Sequence, residues 1–417
     1  RVHLEKAIQL AHRTRKMVGI LFIDLDAFKN INDAEGHEMG DRLLRRVASR
    51  LSGCVREHDT VARFGGDEFL VLLAQLNHHE EVLPIVERIL TSFRQPFTVH
   101  NQEFFVTASV GIALYPADGE TPHDLIKNAD LAMYVAKGKR GDGYAFCSPE
   151  MKDNALTKKR LISGLYRALE RKEFQIYYQP QVNARTGAIV GLEALLRWQH
   201  PEMGMVLPST FIPIAEQTGI IISIGEWVLR TACAQVARWQ RLGILPLRLA
   251  VNLSAVQIRD PELVEKVKKV LTETGFDPQY LELEITETTF FQDPEHVSAT
   301  LRSLKNLGVN VTLDDFGTGY SFLTHLKALA VDRIKIDRHF LQGLLENSRD
   351  REIVKGIVHL AQSLEAQVTA EGVETEVQLE FLLEQGREEI QGYYYYRPLP
   401  PEELEGILLS HLRKKSD

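Results

Sequence analysis

The chain has 417 residues, of which 44% are hydrophobic, and a formal net charge of -8 at pH 7. This length exceeds what one ordinary hydrophobic core needs, so two domains are predicted, one of which could be a barrel of roughly 250 residues. Because the chain lacks the basic excess of a nucleic-acid binder, we expect no nucleic-acid polymer as partner.

The cysteines and the apolar runs indicate a compartment. Cys54, Cys147 and Cys233 are far apart and match neither a disulfide framework nor a zinc motif, as expected in a reducing cytoplasm. No run approaches the ~18 apolar residues of a membrane span, and the N-terminus lacks the apolar core of a signal peptide. Because the sequence begins with Arg1 rather than methionine, we expect a longer protein, with a sensor domain and room for a membrane anchor upstream.

The first domain is predicted over residues 1–146 as an α+β fold. Residues 19–25 form the near-continuous apolar run that is typical of a buried central strand. Two further strand-like runs, 60–64 and 68–73, flank a Gly-Gly turn at 65–66 and therefore predict a β-hairpin.

The second domain is predicted over residues 160–413, after a linker at 147–159 whose composition turns polar and basic. Strand-like and helical runs alternate through it, and a helix over 160–171 is expected at its start. Six of the strand-like runs carry polar side chains near their ends: 193–197, 251–253, 282–285, 311–315, 334–337 and 369–372. Since alternation sends polar and aliphatic side chains to opposite sides, we predict a (β/α)8 TIM-like barrel with a site at its C-terminal face.

Acidic residues gather at two places in the first domain. Asp24 and Asp26 end an otherwise apolar strand, while Asp67 and Glu68 follow the glycine turn, where backbone can approach a ligand closely. Such carboxylates can jointly hold a hard divalent cation that binds phosphate oxygens. The alternative is that they are solvated loop residues, which are common in turns.

Three blocks of this domain, residues 22–33, 36–41 and 63–69, resemble the GGDEF family of diguanylate cyclases and occur in the expected order. The resemblance implies a nucleotide-cyclase-like fold that binds GTP with Mg²⁺. Each such domain holds one GTP, so synthesis of cyclic di-GMP needs two of them face to face. A homodimer is therefore implied.

The resemblance also assigns roles to single residues. Asp24, Asp67 and Glu68 would bind Mg²⁺, the latter two as catalytic residues. An amide and a carboxylate can together satisfy the O6, N1–H and N2–H groups of guanine, and two metal ions can neutralise a triphosphate. The substrate-binding residues would be Lys29 at phosphate, Asn32 and Asp41 at guanine, and Gly65 and Gly66 in the turn.

Two further positions bear on the same family. Arg56 and Asp59, just before the hairpin, match the RxxD motif of its product-inhibition site, although a surface turn with an Arg–Asp pair is the alternative. Lys137 matches a family position, whereas the Lys-Arg-Gly at 139–141 inverts the usual Gly-Arg order. The family's second phosphate-binding arginine therefore has no clear counterpart here.

The polar set of the second domain is strongly acidic. Its members are Glu193, Arg197, Asn252, Glu284, Asp314, Asp315, Lys335, Asp337 and Glu371. So many acids in one barrel mouth would repel one another without cations, and oxygen donors without Cys or His favour Mg²⁺ or Mn²⁺ over Zn²⁺. Two ions ~4 Å apart would position a hydroxide against a phosphodiester, with Arg197 clamping the phosphate and Lys335 orienting the water or offsetting charge. The alternative is a structural ion-pair layer across the barrel.

The segment 391–396 has two interpretations. Gln391 is the least certain member of the site, since a glutamine before a tyrosine run could simply anchor a loop. The tyrosines Tyr393 to Tyr396 could form a base-stacking platform, but alternating core and surface positions are the favoured interpretation.

The same blocks resemble the EAL family of cyclic di-GMP phosphodiesterases. The match extends from residue 160 to about 410 through ordered blocks at 193–195, 197–198, 200–201, 211–213, 252–254, 284–287, 314–321, 335–337, 371–374 and 391–393. The resemblance implies one metal ion held by Glu193, Asn252, Glu284 and Asp314, and a second surrounded by Asp314, Asp315 and Glu371. Glu371 could instead act as general base.

Other roles also follow from this resemblance. The remaining substrate contacts would be Arg197, Asp337 and Gln391, and catalysis would depend on Glu193, Lys335 and Glu371. Glu287 and Glu374 would hold the Asp-Asp loop and its neighbours. Gly-Arg-Glu at 386–388 replaces the family's usual Gly-Cys-Asp, a departure outside the metal ligands that we do not expect to abolish activity.

The resulting hypothesis is metal-dependent hydrolysis of cyclic di-GMP to pGpG by the second domain, with a GTP-binding first domain competent to synthesise cyclic di-GMP. One alternative is that the first domain only senses GTP and regulates the phosphodiesterase. A second alternative is a receptor that binds cyclic di-GMP without turnover.

Overall fold

The computed structural model describes residues 1–138, 143–244, 247–317, 331–345 and 348–416. The chain divides into two compact units, Arg1–Lys159 and Arg160–Asp417. Within the described ranges, no helix combines the length and the apolar composition that crossing a membrane requires.

The first unit contains a five-stranded sheet and a separate pair of short strands. The strands of the unit are β1 (Met17–Leu25), β2 (Thr60–Gly65), β3 (Glu68–Leu76), β4 (Phe97–Val99), β5 (Gln102–Phe104), β6 (Ala108–Tyr115) and β7 (Gly143–Phe146). Its helices are α1 (Val2–Thr14), α2 (Phe28–Glu35), α3 (His37–Gly53), α4 (Leu83–Phe93) and α5 (Pro122–Gly138), with a 3₁₀ turn at His79–Val82. The main sheet has the order β2, β3, β1, β6, β7, and β4 pairs with β5 separately.

Strand β1 lies at the centre of that sheet, antiparallel to β3 and β6. All of its residues after Met17 are buried, as its apolar sequence predicts. The hairpin predicted around the Gly-Gly turn is confirmed as β2 and β3. Register pairs Asp24 with Glu68, so the acidic end of β1 lies beside the hairpin tip.

The second unit is a closed barrel with helices around it. Its strands are β8 (Phe174–Asn183), β9 (Ile189–His200), β10 (Gly204–Val206), β11 (Arg248–Asn252), β12 (Leu281–Thr286), β13 (Asn310–Phe316), β14 (Arg333–Ile336), β15 (Gln367–Glu371) and β16 (Glu389–Gln391). Helix α6 (Pro149–Ala168) crosses the boundary between the units. The helices after it are α7 (Pro208–Thr218), α8 (Ile221–Arg241), α9 (Ala255–Ile258), α10 (Leu263–Thr274), α11 (Glu287–Gln292), α12 (Pro294–Lys305), α13 (Arg338–Gln342), α14 (Ser348–Ser363), α15 (Glu376–Glu384) and α16 (Pro401–Ser416), with 3₁₀ turns at Pro278–Tyr280 and Gly343–Leu345.

The eight-stranded α/β barrel predicted from the sequence is confirmed. Strands β9 and β11 to β16 run parallel in chain order, and β8 closes the barrel between β16 and β9. Strand β8 is antiparallel to both neighbours, because only a short turn joins it to β9. Asn183 closes that turn by accepting hydrogen bonds from the backbone N–H groups of Arg185 and Thr186 at 3.1 and 3.0 Å.

The helix predicted over 160–171 begins earlier, so most residues of the predicted linker 147–159 are helical. Helix α6 (Pro149–Ala168) begins inside the range 147–159 and continues past the boundary between the units. Ser148 Oγ accepts a hydrogen bond from Met151 N at 3.2 Å, and Pro149 and Glu150 suit the first turn of a helix. The polar composition that suggested a linker therefore belongs to a helix with a mostly solvated surface.

Candidate functional site

Seven neighbouring strands of the barrel carry polar side chains at the same end. The residues are Glu193 on β9, Asn252 on β11, Glu284 on β12, Asp314 and Asp315 on β13, Lys335 on β14, Glu371 on β15 and Gln391 on β16. Because the seven strands are parallel, their carboxyl ends meet at one rim. The structure thus brings together the main acidic set that the sequence predicts.

Lys335 lies at the centre of this cluster and is fully buried. Four carboxylates surround its Nζ, at 2.5 Å for Glu371, 2.8 Å for Glu284, 3.2 Å for Glu193 and 3.7 Å for Asp314. Burial alone would lower the pKa of Lys335, but these acids raise it well above its usual value. The ammonium group therefore stays charged, yet it can balance only one of the four carboxylates.

Glu193 is held by three donors. Its Oε1 accepts a hydrogen bond from Asn252 Nδ2 at 2.8 Å, and its Oε2 accepts from Gln391 Nε2 at 2.6 Å and Lys335 Nζ at 3.2 Å. Burial would raise the pKa of Glu193, but Lys335 and these hydrogen bonds more than offset that effect and lower it. Glu193 is therefore an ionised, fixed side chain.

Glu284 has the opposite environment. It is fully buried, and neither carboxylate oxygen accepts a hydrogen bond from any residue that the structure describes, although Oε1 lies near Lys335 Nζ. Burial, followed by repulsion from Glu193 and Asp314, raises the pKa of Glu284 well above its usual value. A buried carboxylate without hydrogen bonds is costly unless a cation or a proton accompanies it.

Asp314, Asp315 and Glu371 form the outer edge of the cluster, with one oxygen of each within 4.8 Å of the others. Consecutive strand residues normally face opposite sides, but Asp315 has a φ of 53° and the β13–β14 register shifts between Leu313 and Phe316. This bulge turns both aspartates toward the barrel mouth.

The acids at this edge are poorly solvated. Burial and the adjacent Asp314 raise the pKa of Asp315 to about 6, and burial raises the pKa of Glu371 to about 8. The atoms of the cluster that could bind a metal ion are carboxylate and amide oxygens. The excess negative charge, these oxygen ligands and the absence of any hydrogen bond to Glu284 from the described residues together fit a hard divalent cation.

Residues behind the cluster fix its loops. Glu287 is buried, and its Oε2 accepts a hydrogen bond from Gly317 N at 3.1 Å, which holds the turn after Asp315. Asp337 begins α13 by accepting from His339 N at 2.8 Å and is also hydrogen-bonded to Asp315. Glu374, which the sequence assigned to the same support, instead has an exposed side chain.

Gln391 belongs to the cluster through a chain of amides that includes two residues missed in the sequence. Gln391 Nε2 donates to Gln179 Oε1 at 3.1 Å as well as to Glu193, and Gln181 Nε2 donates to Gln391 Oε1 at 3.2 Å. Gln179 and Gln181 occupy alternate positions of β8 and are both buried. Two glutamines at period two inside an apolar strand are the signal that could have revealed them.

A structural ion-pair layer does cross the barrel, but other residues form it. Glu282 Oε1 accepts from Arg333 Nε at 3.0 Å, and Glu389 accepts from Arg333 Nη1 at 2.6 Å and Arg248 Nη2 at 2.6 Å. Two arginines thus match two glutamates, and burial raises the pKa of Glu282 to about 7. The four acids around Lys335, by contrast, share a single positive charge.

Substrate-sized space adjoins the cluster. Arg197 is half-buried, donates to Leu196 O at 2.9 Å and has its Cζ 5.5 Å from the centre of the Tyr177 ring. Burial lowers its pKa. A cavity of about 420 Å³ with a largely apolar wall lies between β9 and helices α7 and α8, and Asn252 lines it.

The first unit has a separate pocket of about 280 Å³, which gathers five of the predicted substrate and metal residues. Its lining is Phe28, Lys29, Asn32, His37, Asp41, Leu44, Arg63, Gly66 and Asp67, and Gly65 ends β2 beside it. Asn32 Oδ1 accepts no hydrogen bond from the described residues and lies against Gly40, where a Cβ atom would collide with it. The glycine therefore preserves an open acceptor in this pocket.

The acidic end of β1 lies beside that pocket. Lys137 Nζ donates to Asp24 Oδ1 at 2.6 Å, yet burial keeps the pKa of Asp24 raised. Burial also raises the pKa of Glu68, with repulsion from Asp130 next in importance. Asp130 on α5 was missed in the sequence, although its helical spacing from Lys137, two turns later, places both on one face.

The RxxD residues are not paired side chain to side chain. Asp59 accepts hydrogen bonds from the backbone N–H groups of Arg56 at 2.9 Å and Ala74 at 3.1 Å, so it closes a turn onto β3. The Arg56 guanidinium lies 3.5 Å from Glu81 and is about half exposed. Asp26, at the other end of the site, accepts from Thr107 at 2.7 Å and Ser109 at 2.9 Å.

Comparisons with known proteins find two domain families in this order. The family model described as "Diguanylate cyclase, GGDEF domain" matches residues 1–142, and the "EAL domain" model matches residues 163–398. The bifunctional diguanylate cyclase/cyclic di-GMP phosphodiesterase MucR of Pseudomonas aeruginosa is 45% identical over 401 residues, which are 96% of this chain and 58% of that protein.

Two further similarities concern the second family in particular. The cyclic di-GMP phosphodiesterase PdeR of Escherichia coli is 40% identical over 390 residues, 93% of this chain and 58% of that protein. The chain thus spans little more than half the length of both relatives. The solved structure of the PaMucR phosphodiesterase in complex with c-di-GMP is 44% identical, covers 59% of this chain and 99% of its own, and superposes with a TM-score of 0.57.

Proposed function

Because this chain belongs to the EAL family and carries a GGDEF domain ahead of its barrel, we propose that the barrel hydrolyses cyclic di-GMP to linear pGpG. The reaction adds water across one P–O3′ bond, leaving a 5′-phosphate and a 3′-hydroxyl. The observation that carries the proposal is the convergence of four carboxylates on the single ammonium group of Lys335, within 2.5 to 3.7 Å.

That cluster needs additional positive charge, and its members would supply the ligands for it. Mg²⁺ or Mn²⁺, when bound, would neutralise phosphodiester charge and activate water. The ligands would be Glu193, Asn252, Glu284, Asp314, Asp315 and Glu371, unless Glu371 serves as the general base. Lys335 holds these acids together and offsets part of their repulsion.

Other residues would orient the substrate. The half-buried Arg197 can bind a phosphate through two parallel hydrogen bonds. Asp337 and Gln391 lie beside the cluster and would contact either the dinucleotide or the residues that bind the metal. Gln391 also fixes the Glu193 carboxylate by its 2.6 Å hydrogen bond. The apolar cavity beside Asn252 can receive a guanine base.

The test is a time course with cyclic di-GMP and Mg²⁺ or Mn²⁺, followed by chromatography. We expect pGpG from the unaltered protein, and a loss of at least about a hundredfold in rate for Glu193→Ala. Glu202→Ala, which changes an exposed acid on the turn after β9, is the matched control and keeps its rate. Binding of cyclic di-GMP without linear product would instead identify a receptor.

For the GGDEF domain we propose GTP binding, with Mg²⁺, in the pocket of about 280 Å³. Asn32 and Asp41 would read guanine, Lys29 would contact phosphate, and Asp24, Asp67 and Glu68 would hold the metal. A homodimer of these domains would then be competent to synthesise cyclic di-GMP. Both domains would act in the cytoplasm, where GTP is available.

A regulatory role for this domain is the second candidate, because opposed activities in one chain form a futile cycle unless one is controlled. An Asp314→Ala variant, which removes hydrolysis, separates the two cases. Cyclic di-GMP formed from GTP alone would show synthesis. Faster hydrolysis by the unaltered protein on addition of GTP, without any synthesis in the variant, would show regulation.

A further inference from the structure

At the rim of the barrel, the guanidinium group of Arg397 lies over an exposed tyrosine. Tyr393 follows Gln391 by two residues, and half of its side chain is exposed. The Cζ atom of Arg397 lies 4.3 Å from the centre of the Tyr393 ring. The same segment reaches β8 at Leu399, whose O accepts from Tyr178 N at 2.8 Å, and the neighbouring Tyr177 ring has its centre 5.5 Å from Arg197 Cζ.

The position of Tyr393 is fixed by the backbone around it. Val373 N donates to Gln391 O at 3.2 Å, and Tyr394 N donates to Val373 O at 2.9 Å. Gly392 lies so close to Val373 that a Cβ atom would collide with its backbone. The segment is therefore pinned between the strand end that carries Glu371 and the one that carries Gln391.

The two arginines have little compensating charge. Within the described part of the chain, the Arg397 guanidinium forms no ion pair and no hydrogen bond. Arg197 donates to Leu196 O, and the acid that acts on it, Glu193, is already engaged by Asn252, Gln391 and Lys335. Two guanidinium groups at this rim, without a carboxylate of their own, suit anions with planar oxygen pairs.

We propose that Arg397 and Tyr393, next to Arg197, form a subsite for the phosphodiester of a cyclic dinucleotide that is not cut. The inference rests on the proposed hydrolysis of cyclic di-GMP. Such a substrate carries two phosphodiesters in one ring, so while one lies at the acidic cluster and Arg197 the other needs its own positive partner. This rim subsite, Tyr393 and Arg397, selects dinucleotides over diesters with a single phosphate, and the tyrosine ring offers a surface for base stacking.

The test compares two substrates, cyclic di-GMP and bis(p-nitrophenyl) phosphate, which has one phosphate only. For Arg397→Gln we expect the KM for cyclic di-GMP to rise about tenfold with a smaller change in kcat, as for loss of one charge-assisted hydrogen bond. The ratio of kcat/KM for the cyclic dinucleotide to kcat/KM for the small diester falls by a similar factor. Arg397→Lys recovers part of the loss, and Tyr393→Leu lowers the ratio further than Tyr393→Phe.

Arg302→Ala, which removes an exposed arginine from the outer helix α12, is the charge-matched control and keeps the ratio. An unaltered protein without any hydrolysis of cyclic di-GMP would overturn the proposed function itself. Hydrolysis by the unaltered protein together with an unchanged KM in Arg397→Gln would overturn only the subsite. An equal loss on both substrates would likewise overturn it, since that result indicates a structural role.

Discussion

Glu282 and Glu284 lie two residues apart on β12 and face the same barrel interior, yet their partners differ. Glu282 accepts a hydrogen bond from Arg333, and Arg248 lies 3.8 Å away. Glu284 has one shared ammonium neighbour and no hydrogen bond among the described residues. Glu282 thus lies between two arginines, although its Oε2 accepts no hydrogen bond from the described residues, whereas Glu284 shares one lysine with three other acids and would be balanced by a bound cation.

The variant Glu284→Gln tests this difference through its stability, its response to Mn²⁺ and its rate of hydrolysis. In a chelator, we expect the variant to be as stable as the unaltered protein or more stable by up to about 1 kcal/mol, because a buried acid that shares its one cation with three other carboxylates is replaced by its neutral isostere. Hydrolysis and the stabilisation by Mn²⁺ are lost. Thermal unfolding with and without Mn²⁺, and a pGpG assay, check both. A loss of more than ~2 kcal/mol in the chelator would contradict the account.

Glu282→Gln is its matched counterpart. Here we expect a loss of roughly 1–3 kcal/mol of unfolding free energy, since two largely buried arginines lose a charged acceptor. The rate of hydrolysis per folded molecule changes little, because Glu282 does not contact the acidic cluster around Lys335. Denaturant unfolding measures the first quantity. A large stabilisation by this substitution would show that the ion-pair layer does not hold the barrel together.

The raised pKa of Glu371 would make the binding of a metal at the proposed site depend on pH. Burial raises this pKa to about 8, so near pH 7 the carboxyl group of the metal-free protein keeps its proton. The folded state then binds more protons than the unfolded state between about pH 4.5 and 8, and the stability of the metal-free protein falls as pH rises through that range. Metal binding must release the proton, so the apparent affinity for Mn²⁺ increases over the same range.

Titration calorimetry in two buffers of different ionisation enthalpy measures that release directly. We expect at least one proton released per protein near pH 7 and fewer near pH 9, because Glu284 also has a raised pKa. Exposed acids that bind Mn²⁺ would release none at pH 7. Glu371→Gln, which keeps the shape of the side chain, reduces the number of protons released and removes its share of the affinity.

At the scale of elements, the bulge of β13 decides whether two consecutive aspartates can share one site. Asp315 has a φ of 53°, which is left-handed, and the shifted register lets Phe316 remain buried while both carboxylates face the mouth. Left-handed backbone costs an ordinary side chain about 1 kcal/mol, and Asn tolerates it better than Ala.

Substitutions at Asp315 therefore separate the effect of backbone strain on stability from the effect of losing a carboxylate on hydrolysis. We expect Asp315→Asn to preserve stability, and Asp315→Ala to be less stable than Asp315→Gly by about 1 kcal/mol, while all three lose most of the hydrolysis. Chemical denaturation of the three proteins gives the order. Equal stability of the Ala and Gly variants would show that position 315 carries no backbone strain.

The barrel strands also show which parts of the fold and of the site could be predicted from the sequence. The six strand-like runs all lie in or at the ends of the strands β9 and β11 to β15, because alternation with polar ends is a local signal that a strand and its site share. The sequence analysis did not predict the antiparallel β8 or the roles of Gln179 and Gln181, because the position of β8 depends on pairing with residues near Glu389, far along the chain. The helix expected from residue 160 begins already at Pro149, because its first turns present mostly polar residues that give no helical pattern of apolar side chains.

At the scale of the whole molecule, that helix supplies residues to the barrel core after the boundary between the two units. Leu161, Leu165 and Ala168 recur at helical spacing, are at most 1% exposed and belong to the core of the second unit. We therefore expect the stability of a barrel fragment to depend on where α6 is cut.

Two fragments test that dependence, one from Ser148 and one from Arg171 to the C-terminus. The longer fragment keeps all of α6 and should unfold cooperatively and hydrolyse cyclic di-GMP at a rate independent of GTP. The shorter one loses two buried leucines, each worth about 2–5 kcal/mol, out of a typical total of only about 5–15 kcal/mol. It should therefore be unfolded or marginal by thermal melting and far-ultraviolet circular dichroism, and Leu165→Ala in the full chain should show a fraction of the same loss. Equal melting temperatures for the two fragments would mean that the barrel does not need the helix, and a response to GTP in the longer one would mean that nucleotide acts on the barrel itself.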